Sequence, residues 1–333
     1  MNRDSHTRLT VVMYHYVRPI VGSRYPLIKG LELSAFEGQL DYLQRHHQCV
    51  TARQVIAHAR GEERLPPDPV LLTFDDGYAD HFRHAFPALR RRRLTAAFFP
   101  PSCTAVDRVV LDVNKIHFLL ATCPDVAELV SVIESAVDAS REELELASLA
   151  DYRSRYYVAN RFDSAAVNYV KRMLQRGLPF PLRHCIASEL FARFVSRDER
   201  DFAEELYLDV KDLREMVAAG MEVGSHGDTH QWLDSLDAEG QRDDIARSLR
   251  LLDEVGLPRR DFLFCYPYGA HNDATLHVLD KLGCGAAFTT EVALADPSPF
   301  KLLRLARLDT NDLPTDAGAE PGEWTRLASC RNA

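Results

Sequence analysis

Two stretches of this chain end apolar runs with groups capable of chemistry. In Leu72-Thr73-Phe74-Asp75-Asp76-Gly77-Tyr78, a run beginning at Val70 stops at two adjacent carboxylates and a glycine. Unpaired charge inside a strand is costly or shifts its pKa, so the pair belongs where the strand stops, with Gly77 making the turn. Neighbouring side chains of an extended chain point to opposite faces. The two carboxylates can therefore do different work, Asp76 holding a metal and Asp75 acting as a base on water at that metal. Alone, the same residues also read as a polar turn after a core strand. The second stretch is Gly224-Ser225-His226-Gly227-Asp228-Thr229-His230, with two imidazoles leaving another apolar run. Alone, these read equally as satisfied core or surface histidines. Together the stretches offer two histidines and one carboxylate, leaving an open position for water, the ligand count of catalytic zinc. A divalent ion there polarises a carbonyl and lowers the pKa of water, and Asp75 is placed to take the proton.

The elements that must position these groups are short apolar strands alternating with amphipathic helices. Strands are expected at Leu9–Tyr14, Val70–Phe74, Thr95–Phe99, Met221–Ser225, Phe262–Tyr266 and Ala286–Thr290, with a last apolar segment at Leu302–Leu308. Helices are expected around Phe36–Leu43 with Ser34 as N-cap, and over Val50–Ala59, His81–Arg92, Val210–Ala219, Ala238–Val255 and Asp273–Leu282. This rhythm means a parallel sheet covered by helices, either a β/α barrel or a doubly wound sheet. His15, the Asp75/Asp76 pair and His226 each follow a different strand, where barrel enzymes assemble their sites, and this favours the barrel. Between about 103 and 204 strand-like alternation gives way to successive helical patterns, read as a helical insertion. The expected organisation is a barrel over 1–102 and 205–312, the insertion over 103–204, and a polar, poorly structured tail over 313–333.

Composition bounds the partners. The 333 residues carry a net charge of −9, which argues against a nucleic-acid backbone as partner. The run Arg90-Arg91-Arg92-Arg93 follows a helical pattern and reads as a solvated helix C-terminus. Seven cysteines without paired spacing give neither a disulfide framework nor a zinc ribbon, and reduced thiols fit a cytosolic protein. The polar Met1–His6 and the brief Leu9–Met13 run do not form a signal segment, and no stretch approaches the length of a membrane span. A cytoplasmic location is the expectation.

Three motifs, taken in order, resemble the polysaccharide deacetylase family, also called the NodB-homology or carbohydrate esterase 4 family. They are Thr73-Phe74-Asp75-Asp76-Gly77-Tyr78, Ser225-His226-Gly227-Asp228-Thr229-His230 and Phe264-Cys265-Tyr266-Pro267-Tyr268-Gly269. The opening Met13-Tyr14-His15-Tyr16-Val17 resembles the branch typified by poly-N-acetylglucosamine deacetylases. The similarity covers about 10–102 and 208–310. The resemblance implies a distorted (β/α)7 barrel that removes an N-acetyl group from an amino-sugar substrate, a polysaccharide or glycan precursor, using a divalent metal. Zinc is the expected ion, with cobalt, nickel and manganese open. By position, Asp75 would be the general base, with Asp76, His226 and His230 on the metal and the Tyr268 N–H on the oxyanion. His15 would be the acid that protonates the leaving amine, and Tyr266, Pro267 and Arg307 would lie on the substrate side. Where many members carry an arginine before the Tyr-Pro-Tyr segment, this chain has Cys265. Arg307 is the candidate replacement partner of the base, and reads equally as a surface arginine. Deformylation, hydrolysis of another amide, or a non-catalytic carbohydrate-binding barrel are the alternatives on the same scaffold.

Overall fold

The computed structural model describes residues 8–160 and 163–329. The expectations for Met1–His6 and for Cys330 lie outside these. Seven parallel strands form the central ring among the described residues: β1 (Thr10–Tyr14), β2 (Pro69–Asp75), β3 (Ala97–Phe99), β4 (Glu222–Val223), β5 (Phe262–Cys265), β6 (Cys284–Phe288) and β7 (Leu308–Asp309). The short Gln48–Cys49 strand pairs with β2 beside this ring. β7 pairs with β1 at Val12↔Leu308, β1 with β2 at Val12↔Leu72, β2 with β3 at Asp75↔Phe99, and β3 with β4 at Phe98↔Val223. β5 and β6 pair separately at Phe264↔Ala287. Two parallel bridges join the groups: Ser225, just past β4, meets Phe264, and Phe288 meets Leu305, just before β7. The ring therefore closes, which decides for the barrel over the open doubly wound sheet.

The sequence sorts its side chains by strand parity. Val12, Tyr14, Leu72, Phe74 and Phe98 share one cluster with Phe36, Leu40 and Leu43 of helix α1 (Leu33–His46) and Leu89 of helix α3 (Phe86–Arg92). Phe74 stacks between Tyr14 at 4.8 Å and Phe98 at 4.7 Å, tying three adjacent strands together. A fully buried side chain of this kind contributes roughly 1.5–3 kcal/mol. The alternate positions, Val11, Leu71, Ala97, Phe99, Leu263, Cys265, Ala286, Phe288 and Leu305, form a second cluster. Val55 and Ile56 of helix α2 (Ala52–Ala59) join it. Thr73 and Asp75 share the parity of Leu71, so the base candidate projects from the inner face at the C-terminal end of β2.

The chain separates into two compact units, one of 1–19, 30–108 and 204–333, the other of 20–29 and 109–203. The second unit is helical, with Asp112–Thr122, Val126–Ser140, Leu149–Tyr156, Ala165–Arg172 and Phe180–Phe194 around a core that includes Ile116, Leu119, Leu129, Ile133, Val170, Met173 and Leu190. The segment 20–29 joins it through Tyr25, whose ring meets Phe118 edge-on at 4.7 Å.

Several local expectations need correction. α1 begins at Leu33 with the Glu32 carboxylate capping it, so Ser34 lies inside the helix and is not its N-cap. The helix after the carboxylate pair opens with a wide turn, His81–Ala85, before α3. The long pattern from Ala238 breaks at Leu249 into α5 (Ala238–Ser248) and α6 (Arg250–Val255), following α4 (Val210–Ala218). Helix α7 (Asp273–Leu282) forms where expected, with Asn272 and Thr275 in a capping box. Within the described part of the expected 313–333 tail, residues 313–329 are not loose: they carry helix α8 (Glu323–Ser329), and Thr325 is hydrogen-bonded to the Tyr42 hydroxyl at 2.8 Å. A buried phenol needs such a partner, and composition alone does not reveal it.

Candidate active site

At the C-terminal ends of β2 and β4 the chain turns sharply. Asp76, Gly77 and Gly227 have positive φ, at 68°, 68° and 73°, and so does His230 at 55°. At Gly77 a side chain is excluded as well, because a Cβ there would stand 2.4 Å from Pro100 Cβ. These turns bring Asp76, His226 and His230 together, all buried, with one ligand atom of each within 4.8 Å of the others. Asp76 Oδ1 lies 3.2 Å from His230 Nε2 and 3.5 Å from His226 Nε2. His226 Nδ1 is 2.7 Å from the Cys265 carbonyl, which can only accept, so Nδ1 carries a proton and Nε2 is the ring nitrogen beside Asp76. Asp76 Oδ1 is buried without a hydrogen-bond donor, although buried carboxylate oxygens are normally satisfied. The other oxygen, Oδ2, accepts from the Tyr78 hydroxyl at 2.6 Å. Burial pushes the Tyr78 pKa well up, keeping that phenol a donor. Burial also lowers the His230 pKa, favouring the neutral imidazole that a metal requires. An anionic oxygen without a hydrogen-bond donor, beside the Nε2 atoms of two imidazoles, fits a divalent cation with N/O ligands.

Asp75 lies beside this group and is held from the opposite side. Arg307 Nη1 donates to Asp75 Oδ1 at 2.8 Å and Nη2 donates to Oδ2 at 2.7 Å. The remaining guanidinium protons go to Thr73 Oγ1 at 3.2 Å, Cys265 Sγ at 3.1 Å and the Thr289 carbonyl at 2.7 Å. All five arginine donors are used. Burial alone would raise the Asp75 pKa, but the guanidinium more than reverses this and holds it at about 2. The carboxylate is therefore ionised at neutral pH. Arg307 is fully buried, which corrects the expectation that it lies on the substrate side. It is the partner of Asp75, reaching in from the segment before β7.

His15 Nε2 stands 3.8 Å from Asp75 Oδ2, with 42% of its side chain exposed to solvent. His15 follows β1, and the next residues dock onto the turn after β2. Tyr16 stacks on Tyr78 at 4.0 Å, and Arg18 Nε donates to Asp80 Oδ2 at 2.5 Å. His81 Nε2 donates to the His15 carbonyl at 2.8 Å. The sequence reading missed His81; burial pulls its pKa down to about 4, so it serves as a neutral donor. It opens the wide turn His81–Ala85, a kind of turn that recurs at functional sites but leaves no mark in the apolar spacing.

The third motif divides differently from expectation. Tyr268 adopts φ 57° and packs edge-on against His230 at 4.7 Å, with its outer face stacked on Trp232 at 4.3 Å. Thus three of the strained non-glycine residues, Asp76, His230 and Tyr268, sit at one place. Strain of this kind is held only where surrounding structure over-determines it. Tyr266 and Pro267 are buried and do not present a substrate surface. The Tyr266 hydroxyl donates to the Leu303 carbonyl at 2.8 Å and its ring stacks on His271. Pro267 instead forms the tight turn that delivers Tyr268, its carbonyl accepting from Ala270 N–H at 3.0 Å.

Residues 192–287 match the family model described as polysaccharide deacetylase. Over 302 residues the chain is 25% identical to the poly-beta-1,6-N-acetyl-D-glucosamine N-deacetylase of Escherichia coli (strain K12), covering 88% of this chain and 35% of that protein. The chain thus spans about a third of the length of the curated relative it matches. Among solved structures, it is similar to the Streptococcus pyogenes deacetylase PplD in complex with acetate, with a TM-score of 0.58, 16% identity, and coverage of 93% of this chain and 96% of that one. It is also similar to IcaB from Ammonifex degensii, with a TM-score of 0.53, 21% identity and 98% coverage of each chain. These likenesses bear on the fold, and agree with the closed barrel.

Proposed function

We propose that this chain, which matches the polysaccharide deacetylase model over residues 192–287, belongs to that family and hydrolyses the N-acetyl group of an amino-sugar in a glycan. The observation that carries the reading is Asp76 Oδ1, buried without a donor between two imidazoles, with the ionised Asp75 alongside. Asp76, His226 and His230 would hold a divalent cation, zinc being the first choice and cobalt, nickel or manganese the others. When bound, such an ion supplies Lewis acidity toward the acetyl carbonyl and toward water. The chain's own residues do the proton work. Asp75 accepts a proton from the attacking water, its two oxygens steadied by Arg307 so that neither rotates away. Water oxygen bonds to the acetyl carbon, the C–N bond breaks, and His15 delivers a proton to the departing nitrogen. The products are acetate and the free amine. His15 suits this task because it is partly exposed and its Nε2 lies 3.8 Å from Asp75 Oδ2. The Tyr268 N–H would face the developing oxyanion.

The relative's substrate suggests the first assay. Protein loaded with zinc is incubated with β-1,6-linked N-acetylglucosamine oligomers and with other N-acetylhexosamine conjugates, and acetate is measured. Acetate release that is lost in Asp75→Asn while about one ion per chain is retained is the expected result, and Asp76→Ala or His226→Ala should lose the ion as well. A wild-type protein that binds metal yet releases no acetate from any conjugate sinks the deacetylase reading. Mass analysis of the product separates acetate from formate or another acyl group.

A further inference from the structure

His226 and His230 leave β4 on an irregular loop, so no helix or strand ladder dictates that their Nε2 atoms converge. Something must fix residues 227–229, and the destinations of their backbone groups identify it. The carbonyls of Gly227 and Asp228 accept from the N–H groups of Ser102 and Cys103, both at 3.1 Å. The Gly227 N–H donates to Ser225 Oγ at 3.2 Å. The next two N–H groups have a different destination, a single side chain. Asp228 N–H donates to Asp244 Oδ1 at 2.9 Å, and Thr229 donates to Oδ2 from its N–H at 3.2 Å and from its hydroxyl at 2.7 Å.

Asp244 is 2% exposed, and a buried carboxylate is expensive unless its oxygens are well satisfied. Here both are, by bonds strengthened through the acceptor's charge. The helix that carries it, α5, is unusual in turning a polar stripe inward. Gln241, Asp244 and Ser248 are all buried, and Ser248 Oγ lies 2.6 Å from the Oγ of Ser225, the residue before His226. α5 thus supports the loop at two successive points. The loop is also pressed close to the carboxylate: a Cβ on Gly227 would stand 2.9 Å from Asp244 Oδ1.

We propose that Asp244 is a positioning residue that holds loop 226–230 in the conformation in which both imidazoles face Asp76, and so sets the affinity and geometry of the metal. This rests on the metal reading of Asp76, His226 and His230 given above. The experiment uses the full chain with Zn2+ and Co2+ as probes, in wild type, Asp244→Ala, Asp244→Asn and, as a control on the same helix face, Gln241→Leu. Metal dissociation constants come from competition with a chromophoric chelator, the ligand set from the visible absorption of the Co2+ form, and folding from circular dichroism at the assay temperature. Loss of an outer partner of a metal site weakens binding by roughly 10–100-fold, and that is expected for Asp244→Ala, with an altered Co2+ spectrum. Asp244→Asn keeps one acceptor oxygen and should fall between Asp244→Ala and wild type. Gln241→Leu removes the buried acceptor of Thr275 Oγ1 (2.6 Å) and should lower the Tm without weakening the metal. Asp244→Ala that is folded, with wild-type affinity and an unchanged Co2+ spectrum, overturns the proposal. If Asp244→Ala does not fold, Asp244→Asn decides on the same readouts. A wild type that takes up neither ion defeats the metal reading itself, an outcome visible before any variant is made.

Discussion

Asp75 and Arg307 are a buried pair whose members need one another more than the fold needs the pair. Truncating one partner of such a pair typically costs about 3–5 kcal/mol, because it strands the other charge. Arg307→Ala is therefore expected to lower the unfolding free energy in urea by about that amount, and Asp75→Asn in the same chain should recover part of it. Additive losses in that double-mutant cycle would show that the two groups are not coupled. Arg307→Lys keeps the charge but not the two-pronged fork, and should lose turnover more than stability. A second prediction concerns His81, whose pKa is about 4 in the fold against about 6.5 in an unfolded chain. Between those values the unfolded chain binds a proton that the folded chain does not, so acidification through that window destabilises. The loss reaches roughly 3 kcal/mol at the acid end. His81→Asn should flatten the dependence of stability on pH between about 6.5 and 4; parallel profiles for variant and wild type would refute it. At this scale, residues at strand ends were legible from sequence, because Asp75, Asp76, His226 and His15 interrupt apolar runs. Arg307 was only half legible. It lies before a two-residue strand whose pairing cannot be read from its own sequence, and its partner is distant in the chain. Asp244 gave no signal, since a carboxylate on an amphipathic helix ordinarily faces water.

At the scale of elements, the site depends on turns more than on the strands that lead to them. β2 delivers Asp75, but Asp76 and Gly77 take successive left-handed conformations before the wide turn His81–Ala85 begins. That sequence of turns points Asp75 inward, Asp76 toward the histidines, and His81 at the His15 carbonyl. Gly77→Ala should be severe. A left-handed residue other than glycine costs about 1–2 kcal/mol, and the added Cβ would meet Pro100 Cβ at 2.4 Å and Cα at 2.9 Å. The expected result is a lower midpoint in thermal or urea unfolding together with weakened metal uptake, since the strain falls next to Asp76. Pro100→Gly in the same background removes the nearer contact and should restore part of the midpoint. No restoration would mean that backbone strain, not the clash, sets the cost. The sequence marked this turn with Asp-Asp-Gly, and it marked the helix that follows. It did not mark the widened first turn, because one additional residue per turn leaves the apolar spacing of Phe82, Phe86 and Leu89 intact. The same limit explains the break at Leu249, where the apolar pattern runs on through Leu251 and Leu252 while the backbone does not.

At the scale of the barrel, closure is uneven. β1 and β2 pair over five successive positions, from Thr10↔Val70 to Tyr14↔Phe74. The β4–β5 seam rests on hydrogen bonds about Ser225, from its N–H to Leu263 and from Cys265 N–H to its carbonyl, both 2.8 Å. The β6–β7 seam rests on Leu305 in the same way, at 2.9 Å each, with one further bond from the Arg307 N–H to the Glu291 carbonyl at 2.9 Å. Alternating strands and helices made a parallel sheet legible, and the strand-end placement of His15, Asp75 and His226 favoured the barrel. The seams that close it were not legible, because two bridges of this length leave no pattern in composition or periodicity. They also fall beside the chemistry: Ser225 precedes His226, Cys265 contacts Arg307, and Leu305 lies two residues before Arg307. Local opening starts where backbone bonds are few. Native-state hydrogen exchange should therefore find the amides of Ser225, Cys265, Thr289 and Leu305 less protected than those of Val12 and Leu72. A metal held by Asp76, His226 and His230 would join the β2 and β4 ends, so zinc should raise protection at Ser225 and Cys265 more than at Val12. Uniform protection around the ring, or a zinc effect spread evenly over every strand, would mean that the barrel opens only as a whole. The site would then draw no stability of its own from the ion.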